Sequence, residues 1–424
     1  MLAQYGATES IPQDSLRELI EHDNLHTLFQ ALPTENTQHL ENNDAPVIKL
    51  INTMLDEALN LGASDIHVEG FKEQVIIRFR VDGILQIVSQ SDGRLAAPLT
   101  SRLKIMANLD IAEKRLPQDG RIIIDTERYS VDIRVSVIPV AFGERVVLRL
   151  LDKKTVNIDL NSIGMPAALT EQVLEIIKKP HGMMLVTGPT GSGKSTSLYA
   201  FLKSIHSPQR NLLTIEDPIE YMVQGIGQTQ VNTKAGMTFA KGLRAILRQD
   251  PDIIMIGEIR DSETATIAVQ ASLTGHMVFS TLHTNTAVGA ISRLRDMGIE
   301  AYLLSSALTG VLSQRLVRVL CDDCKKESPA TASQQVLLGI KDNRAIFHAE
   351  GCSSCHYTGY RGRTGIYELM LISERVRELI HQSAPESDII KHLGLQHQGL
   401  RNHGIQKVLS GITTLEELLR VTDS

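Results

Sequence analysis

Tryptophan is absent from this 424-residue chain, and aromatic residues make up only 4% of it. Proteins that track single-stranded nucleic acid stack bases on such rings, so no stacking platform is expected. Basic residues are outnumbered, 43 Lys and Arg against 49 Asp and Glu, for a formal charge of −6. No basic stripe marks a DNA- or RNA-tracking groove. Apolar runs are short: none reaches the roughly 18 residues that a spanning helix needs. The N-terminal stretch is polar and acidic and does not read as a secretory signal. A cytoplasmic chain is expected, with any membrane association coming through partners. Cysteine is scarce, with four residues, all in two CxxC pairs. In a cytosolic chain this argues for metal rather than disulfide.

What remains is ordinary globular composition, 42% hydrophobic and 22% charged, in a chain long enough for two or three domains. Residues 1–45 are weakly patterned. Leu16, Leu19 and Ile20, then Leu25, Leu28 and Phe29, fit a helix face, and polar sequence from Thr34 to Asp44 reads as a linker. Residues 46–150 read as a small α+β domain. Val47, Leu50, Ile51, Met54, Leu55, Ala58 and Leu59 carry helical spacing, short alternating segments follow, and Asp82-Gly83 marks a hairpin. Residues 158–319 alternate strands (Leu212–Ile215, Ile253–Ile256, Met277–Ser280) with helices, which predicts a mostly parallel, doubly wound sheet. A cysteine-bearing segment, 320–365, and a helical C-terminal region, 366–424, complete the chain.

The most informative stretch is Gly188-Pro189-Thr190-Gly191-Ser192-Gly193-Lys194-Ser195-Thr196. It fits the phosphate-loop pattern G-x-x-x-x-G-K-[ST] and lies between an apolar run, Met183–Thr187, and a helix start, Ser197–Leu202. Loop amides and the helix N-terminus cradle phosphates there. Lys194 reaches the β- and γ-phosphates of a nucleotide, and Ser195 offers a hydroxyl to Mg²⁺. Hydrolysis of ATP also needs acids and a group that reads the γ-phosphate, and three later stretches offer them. In Thr214-Ile215-Glu216-Asp217-Pro218-Ile219-Glu220, Glu216 and Asp217 are candidates for metal duties through water; a solvated acidic loop is the plainer alternative. In Asp250–Asp261 an apolar strand ends at Gly257-Glu258, where phosphate-loop enzymes usually carry an Asp-Glu pair. Glu258 is the candidate for polarising the attacking water, against a simple ion pair with Arg260. In Gly275–Asn285, His276 and His283 flank an apolar strand, and His283 is the better γ-phosphate sensor; both also suit structural roles.

Cys321-Asp322-Asp323-Cys324 and Cys352-Ser353-Ser354-Cys355 are separated by 27 residues. That spacing is a strong signature of a tetrahedral, four-sulfur Zn²⁺ site, closed and therefore structural. A redox CxxC is disfavoured because neither pair opens a helix in a thioredoxin-like unit.

Together TIEDPIE, RQDPDIIMIGEIRDSETA and TGHMVFSTLHTN resemble the Asp box, the atypical Walker B and the His box of the bacterial secretion ATPase superfamily. The chain is similar in particular to type II secretion (general secretory pathway) assembly ATPases, with type IV pilus extension ATPases as near cousins, over about residues 46–421. The resemblance implies a RecA-like core preceded by a PAS-like α+β domain, matched at Ser64–His67, Arg78–Gly83 and Arg115–Arg121. It implies a hexameric ring that couples ATP hydrolysis to domain rotation at an inner-membrane secretion platform, with recruiting proteins as further partners. Family members direct arginines of the PAS-like domain at the nucleotide; Arg121 and Arg134 are the matching candidates and Arg115 a weaker one. The tetra-cysteine insertion is frequent in assembly ATPases and missing from pilus retraction ATPases. Only about 45 residues precede the PAS-like domain, so a family-type membrane-docking module is expected to be shortened or missing. Pilus extension is the runner-up function, with the ending Gly411–Thr422 leaning towards secretion; a nucleic-acid translocase is the rival of another class.

Overall fold

The computed structural model describes residues 45–126, 129–152, 159–341, 344–394 and 399–422. The leader helix face and linker expected before residue 45 lie outside them. The chain divides into two compact units, residues up to 156 and from 157 onwards.

The first unit opens with helix α1 (Ala45–Asn60). Strands β1 (Asp65–Gly70), β2 (Gln74–Val81) and β3 (Ile84–Asp92), helix α2 (Ala96–Met106), and strands β4 (Gln118–Asp125), β5 (Ser130–Val140) and β6 (Gly143–Asp152) follow. The six strands form one sheet in the order β3-β2-β1-β6-β5-β4, antiparallel at every pairing. Side chains alternate across it. Val131, Ile133, Val135 and Val137 of β5 are buried in one cluster with Leu50, Ile51 and Met54 of α1 and Leu99 and Leu103 of α2. The helices therefore cover one face, and the other carries the charged partners of the same alternation. The β2–β3 hairpin turns through Asp82 and Gly83, both at positive φ (48° and 84°), as the Asp-Gly signal predicts.

The second unit runs α3 (Ala167–Ile177), β7 (Gly182–Thr187), α4 (Lys194–Ile205), β8 (Leu212–Glu216), β9 (Gly227–Gln230), α5 (Phe239–Ile246), β10 (Ile253–Ile256), α6 (Ser262–Leu273), β11 (Met277–Leu282), α7 (Gly289–Asp296), α8 (Ala301–Ala307) and β12 (Leu308–Leu320). After β12 come β13 (Lys326–Pro329), α9 (Ala332–Leu338), β14 (Ala345–His348), β15 (Tyr360–Leu371), α10 (Glu374–His381), α11 (Glu386–Leu393), α12 (Leu400–Leu409) and α13 (Leu415–Thr422). Seven strands order as β15-β12-β7-β11-β10-β8-β9. All neighbours are parallel except β12 and β15. Strands β7, β10 and β11 are buried at every residue, as parallel strands covered on both faces must be. Residues of α5–α8 and α10 fill one side, and those of α3 and α4 the other.

Three strands expected from apolar runs, at 212, 253 and 277, are present and begin where expected. The sheet continues further than the runs suggest. Strand β12 is 13 residues long, and the chain leaves the sheet at Leu320 and returns antiparallel at Tyr360. Both CxxC pairs therefore sit in an excursion between two neighbouring strands. Strand β15 is hard to read from sequence because Arg361, Gly362, Arg363 and Gly365 interrupt its apolar positions. Among the described residues no helix is long and apolar enough to cross a membrane.

Candidate functional site

Because β7, β8, β10 and β11 are parallel, their carboxyl ends lie along one edge of the sheet, where ligands of open α/β folds bind. Strand β7 ends at Thr187 and continues as the loop 188–193 into α4. The loop depends on glycine: Gly188, Gly191 and Gly193 have φ of 149°, 78° and 84°, in the region that side chains avoid. At Gly188 a Cβ would also lie 2.5 Å from the Gln314 carbonyl oxygen. Gly193 caps α4 in the left-handed conformation, which turns the first helical amides towards the loop. Pro189, Thr190 and Gly191 are exposed, Thr196 is half-buried, and Ser192 is buried.

Lys194 is buried and folds back on the loop, donating from Nζ to the carbonyls of Gly188 (2.8 Å) and Pro189 (2.9 Å). Burial pushes its ammonium down to about 8, against the opposing pull of Glu258 and with a smaller push from Arg315. A buried ammonium held by two neutral carbonyls is under-compensated, an environment suited to an anionic group. Ser195, in the first turn of α4, is exposed, its hydroxyl accessible to a phosphate-bound Mg²⁺.

Glu258 follows β10 by two residues. Gly257 between them donates to the Ile215 carbonyl (2.8 Å) and accepts from the Thr281 hydroxyl (2.7 Å), so the turn is fixed from β8 and β11. The Glu258 side chain is only 14% exposed, and its Oε2 lies 3.3 Å from His283 Nε2. Its Oε1 pairs with Arg260, which raises the Arg260 pKa. Catalytic candidate and local ion-pair partner are thus one residue: Arg260 is largely exposed and free to move off, while His283 holds the second oxygen.

The acidic stretch behaves differently. Glu216 is buried, and its carboxylate accepts from Thr214 Oγ1 (2.6 Å), Gln228 Nε2 (3.1 Å) and the Tyr199 hydroxyl. Burial and then the Glu216 charge push the Tyr199 phenol far up. Glu216 thus ties α4, β8 and β9 together, and Asp217 is the exposed acid at this strand end, close enough to raise Arg260 electrostatically. His276 lies apart from the loop. It precedes β11, at the amino edge of the sheet, where its ring donates to the Ala271 carbonyl (2.9 Å). Six strand residues, about 20 Å at ~3.3 Å each, separate it from His283. Two histidines flanking one strand cannot both face the carboxyl edge, and the structure brings only His283 to Glu258.

In the first unit, cross-strand register places Arg121, Arg134, Arg149, Asp65 and Arg80 in one row over five strands, on the face away from the helices. Arg121 forks onto Asp132, with Nε 2.5 Å from Oδ1, and this raises its pKa. Arg149 and Arg80 flank Asp65 at 3.1 and 3.6 Å. Arg115 is exposed and pairs with Glu113.

The four cysteines converge. Cys321 and Cys352 Sγ lie 3.9 Å apart, Cys324 and Cys355 3.8 Å, and Cys352 and Cys355 3.8 Å. A tetrahedral ion with metal–sulfur bonds of about 2.3 Å requires sulfur–sulfur edges of about 3.8 Å, so the donor set fits zinc. Burial raises Cys321 and pushes Cys324 up to about 12. At Cys355 burial acts the same way, but amides of Cys352 and Gly359 outweigh it and bring the thiol down to about 6. Among the described residues this is the one group of histidines, cysteines and acids placed to hold a metal.

Sequence reading does not point to Tyr199, Gln314 or Arg315. Arg315, buried in β12, donates to the Asn285 carbonyl (3.1 Å) and side chain (3.2 Å), fixing the segment after His283. The available signal is Ser313-Gln314-Arg315, three consecutive polar residues inside a largely apolar strand.

Residues 40–420 match the family described as Type II/IV secretion system protein. The chain is 57% identical over 403 residues to the type II secretion system ATPase E of Vibrio cholerae, covering 94% of this chain and 80% of that protein. It is 56% identical over 399 residues to the type II secretion system protein E of Klebsiella pneumoniae, with the same coverage, and 53% identical over 424 residues to that of Aeromonas hydrophila, covering 100% and 85%. Among solved structures it is similar to the pilus retraction motor PilT with bound ADP (TM-score 0.57, 26% identity, 88% of this chain and 96% of that one). The Legionella pneumophila ATPase DotB shares the fold (TM-score 0.65, 21% identity, 93% and 99%). On these matches, which span nearly the whole chain, the chain belongs to the Type II/IV secretion system protein family and is an ATP hydrolase of its type II secretion protein E group.

Proposed function

We propose that this chain is the motor ATPase of a type II secretion system, hydrolysing ATP to drive assembly of a pseudopilus and export of folded cargo. The observation that carries the reading is Glu258, set beside His283 at the carboxyl end of β10 and electrostatically coupled to Lys194. The loop amides of 188–196 and Lys194 hold the phosphates, and Ser195 faces a phosphate-bound Mg²⁺, which when bound neutralises developing charge on the transferring phosphoryl group. Glu258 takes the proton of the attacking water, and His283 hydrogen-bonds the γ-phosphate and couples its loss to Glu258. Asp217 is the acid accessible for outer contacts to the metal; Glu216 acts as an internal strut. Arg121 and Arg134 are the candidates for the family's nucleotide-directed arginines, and Arg121 must then exchange Asp132 for phosphate. Zinc in the four-cysteine site closes the excursion between β12 and β15. A hexameric ring, a PAS-like first domain and recruitment to an inner-membrane platform complete the proposal, which the identity to type II secretion E proteins supports over pilus extension.

The experiment is Glu258→Gln. It keeps size and hydrogen bonding but cannot take a proton. Nucleotide affinity should stay within about threefold while turnover falls by about 10²–10⁴, the usual worth of a positioned general base. Turnover at the wild-type rate rejects the assignment.

A further inference from the structure

A residue that no motif marks braces the phosphate loop from the side of β12. Gln314 follows Ser313, which pairs with Thr187 at the end of β7, so it stands level with the start of the loop. It is 2% exposed. Its backbone carbonyl closes on Gly188, where a Cβ would lie 2.5 Å away, and its Nε2 closes on Gly193, where a Cβ would lie 2.8 Å away. Its Oε1 accepts from the Ser197 hydroxyl (2.7 Å), in the first turn of α4. The Tyr367 hydroxyl of β15 sits beside Ser197 and donates to the Ile163 carbonyl (2.8 Å). One buried residue therefore stands against both ends of the loop, its backbone carbonyl at Gly188 and its side-chain amide at Gly193, and its amide also binds the helix behind.

The direction of that amide matters. Ser197 has a single hydrogen to donate, and it occupies the carbonyl end of the side chain. The NH₂ end is left facing the Gly193 turn, so the positive end of a fixed dipole lies against the phosphate loop. Fixed dipoles oriented before the ligand arrives are worth more in a buried site than in water, because nothing has to reorganise.

We propose that Gln314 is a positioning residue of the nucleotide site: its backbone carbonyl backs the Gly188 turn, Ser197 fixes its side-chain amide, and that amide holds the Gly193 turn in the anion-accepting conformation with its positive end towards the loop. The proposal rests on the loop binding phosphate groups, as set out above. It assigns a role to the Ser-Gln-Arg triple of β12 that the phosphate-loop pattern does not contain.

The test is Gln314→Glu in the full chain, with ADP affinity measured by calorimetry at pH 8 and pH 5.5 as a ratio to wild type. Glutamate keeps the oxygen that accepts from Ser197 and nearly the same shape, so it replaces only the NH₂ end. At pH 8 it sets a like charge beneath the loop, and the affinity ratio should be about twentyfold or more. At pH 5.5 the buried carboxyl regains its proton, and the ratio should shrink below about threefold. A ratio under threefold at pH 8, or a large ratio unchanged by pH, overturns the proposal, since a packing defect does not titrate. If Gln314→Glu does not fold, Ser197→Ala decides: it should weaken ADP three- to tenfold, on the scale of one lost hydrogen bond, with Ser197→Thr restoring it, and wild-type affinity in Ser197→Ala overturns the idea. Wild type and Lys194→Ala are the controls. No ADP binding by wild type removes the underlying reading, whereas binding lost only in Lys194→Ala keeps that reading and isolates failure to Gln314.

Discussion

The phosphate loop and the cysteine quartet are both turns in the same unit, and both bring polar groups together in buried surroundings. They are organised in opposite ways. The loop takes its shape from the chain itself: three glycines at positive φ, Gln314 on one side, and a strand on either flank buried at every residue. The groups proposed to meet the ligand are backbone amides and one ammonium, which rests on the Gly188 and Pro189 carbonyls. The quartet takes its shape from side chains on two short turns, packed near a small core of residues such as Val317, Leu338, Ile346 and Val408. Four thiols within 3.9 Å of a neighbour cannot all ionise without a cation among them. On the proposed reading the first site is organised before its ligand arrives, and the second is stabilised by the zinc it would hold.

The largest effect that would break this contrast is at Lys194. Lys194→Ala should weaken nucleotide binding by about a hundredfold or more, from the loss of charge-assisted hydrogen bonds worth ~1.5–3 kcal/mol each. It should move the melting temperature by only a few degrees, because the glycine turns and the sheet hold the loop. Loss of the fold in this variant would show that the loop is not preformed.

Cys355→Ser probes the opposite side. Removing one of four ligands should abolish stoichiometric zinc and lower the melting temperature by several degrees, measured by metal analysis and calorimetry on the same sample. A variant with unchanged zinc and unchanged melting would mean the quartet is only a packed cluster of thiols.

A smaller effect sharpens the account of the loop. Lys194 sits at about 8 without ligand, lowered from 10.5 chiefly by burial, and pairing with phosphate must raise it again. A lowered lysine binds fewer protons folded than unfolded, so its burial cost is present below pH 8 and is relieved as pH rises towards 10.5. For the ligand the sign is reversed: binding takes up a proton near pH 8–9. Nucleotide affinity should therefore hold steady below pH 8 and fall by up to about tenfold per unit above it. Lys194→Arg, whose charge does not titrate there, should flatten the profile.

How much of this was legible in the sequence follows the same division. The loop, Glu258 and the four cysteines are read from residues adjacent in the chain, where one strand, one turn or one CxxC fixes the geometry. Groups assembled by tertiary pairing are not. Gln314 reaches the loop only because β12 pairs with β7, and no spacing along the chain announces that. Glu216 looks like a metal acid in TIEDPIE, yet Tyr199 and Gln228 arrive from other elements to occupy its oxygens. His276 and His283 look like a pair because only six residues separate them in sequence. A strand carries them to opposite edges of the sheet. The fold class was visible in the alternation of apolar strands and helices, while the β12–β15 edge was hidden by arginines and glycines within β15.

The most direct test of the central claim is ADP affinity of the full chain before and after its metal is stripped by a chelator, with removal verified by metal analysis. The dissociation constant should stay within about threefold of the metal-loaded value, even as the stripped chain melts earlier. Loss of ADP binding on stripping would contradict that claim, and would mean that the cysteine site and the phosphate loop are organised together.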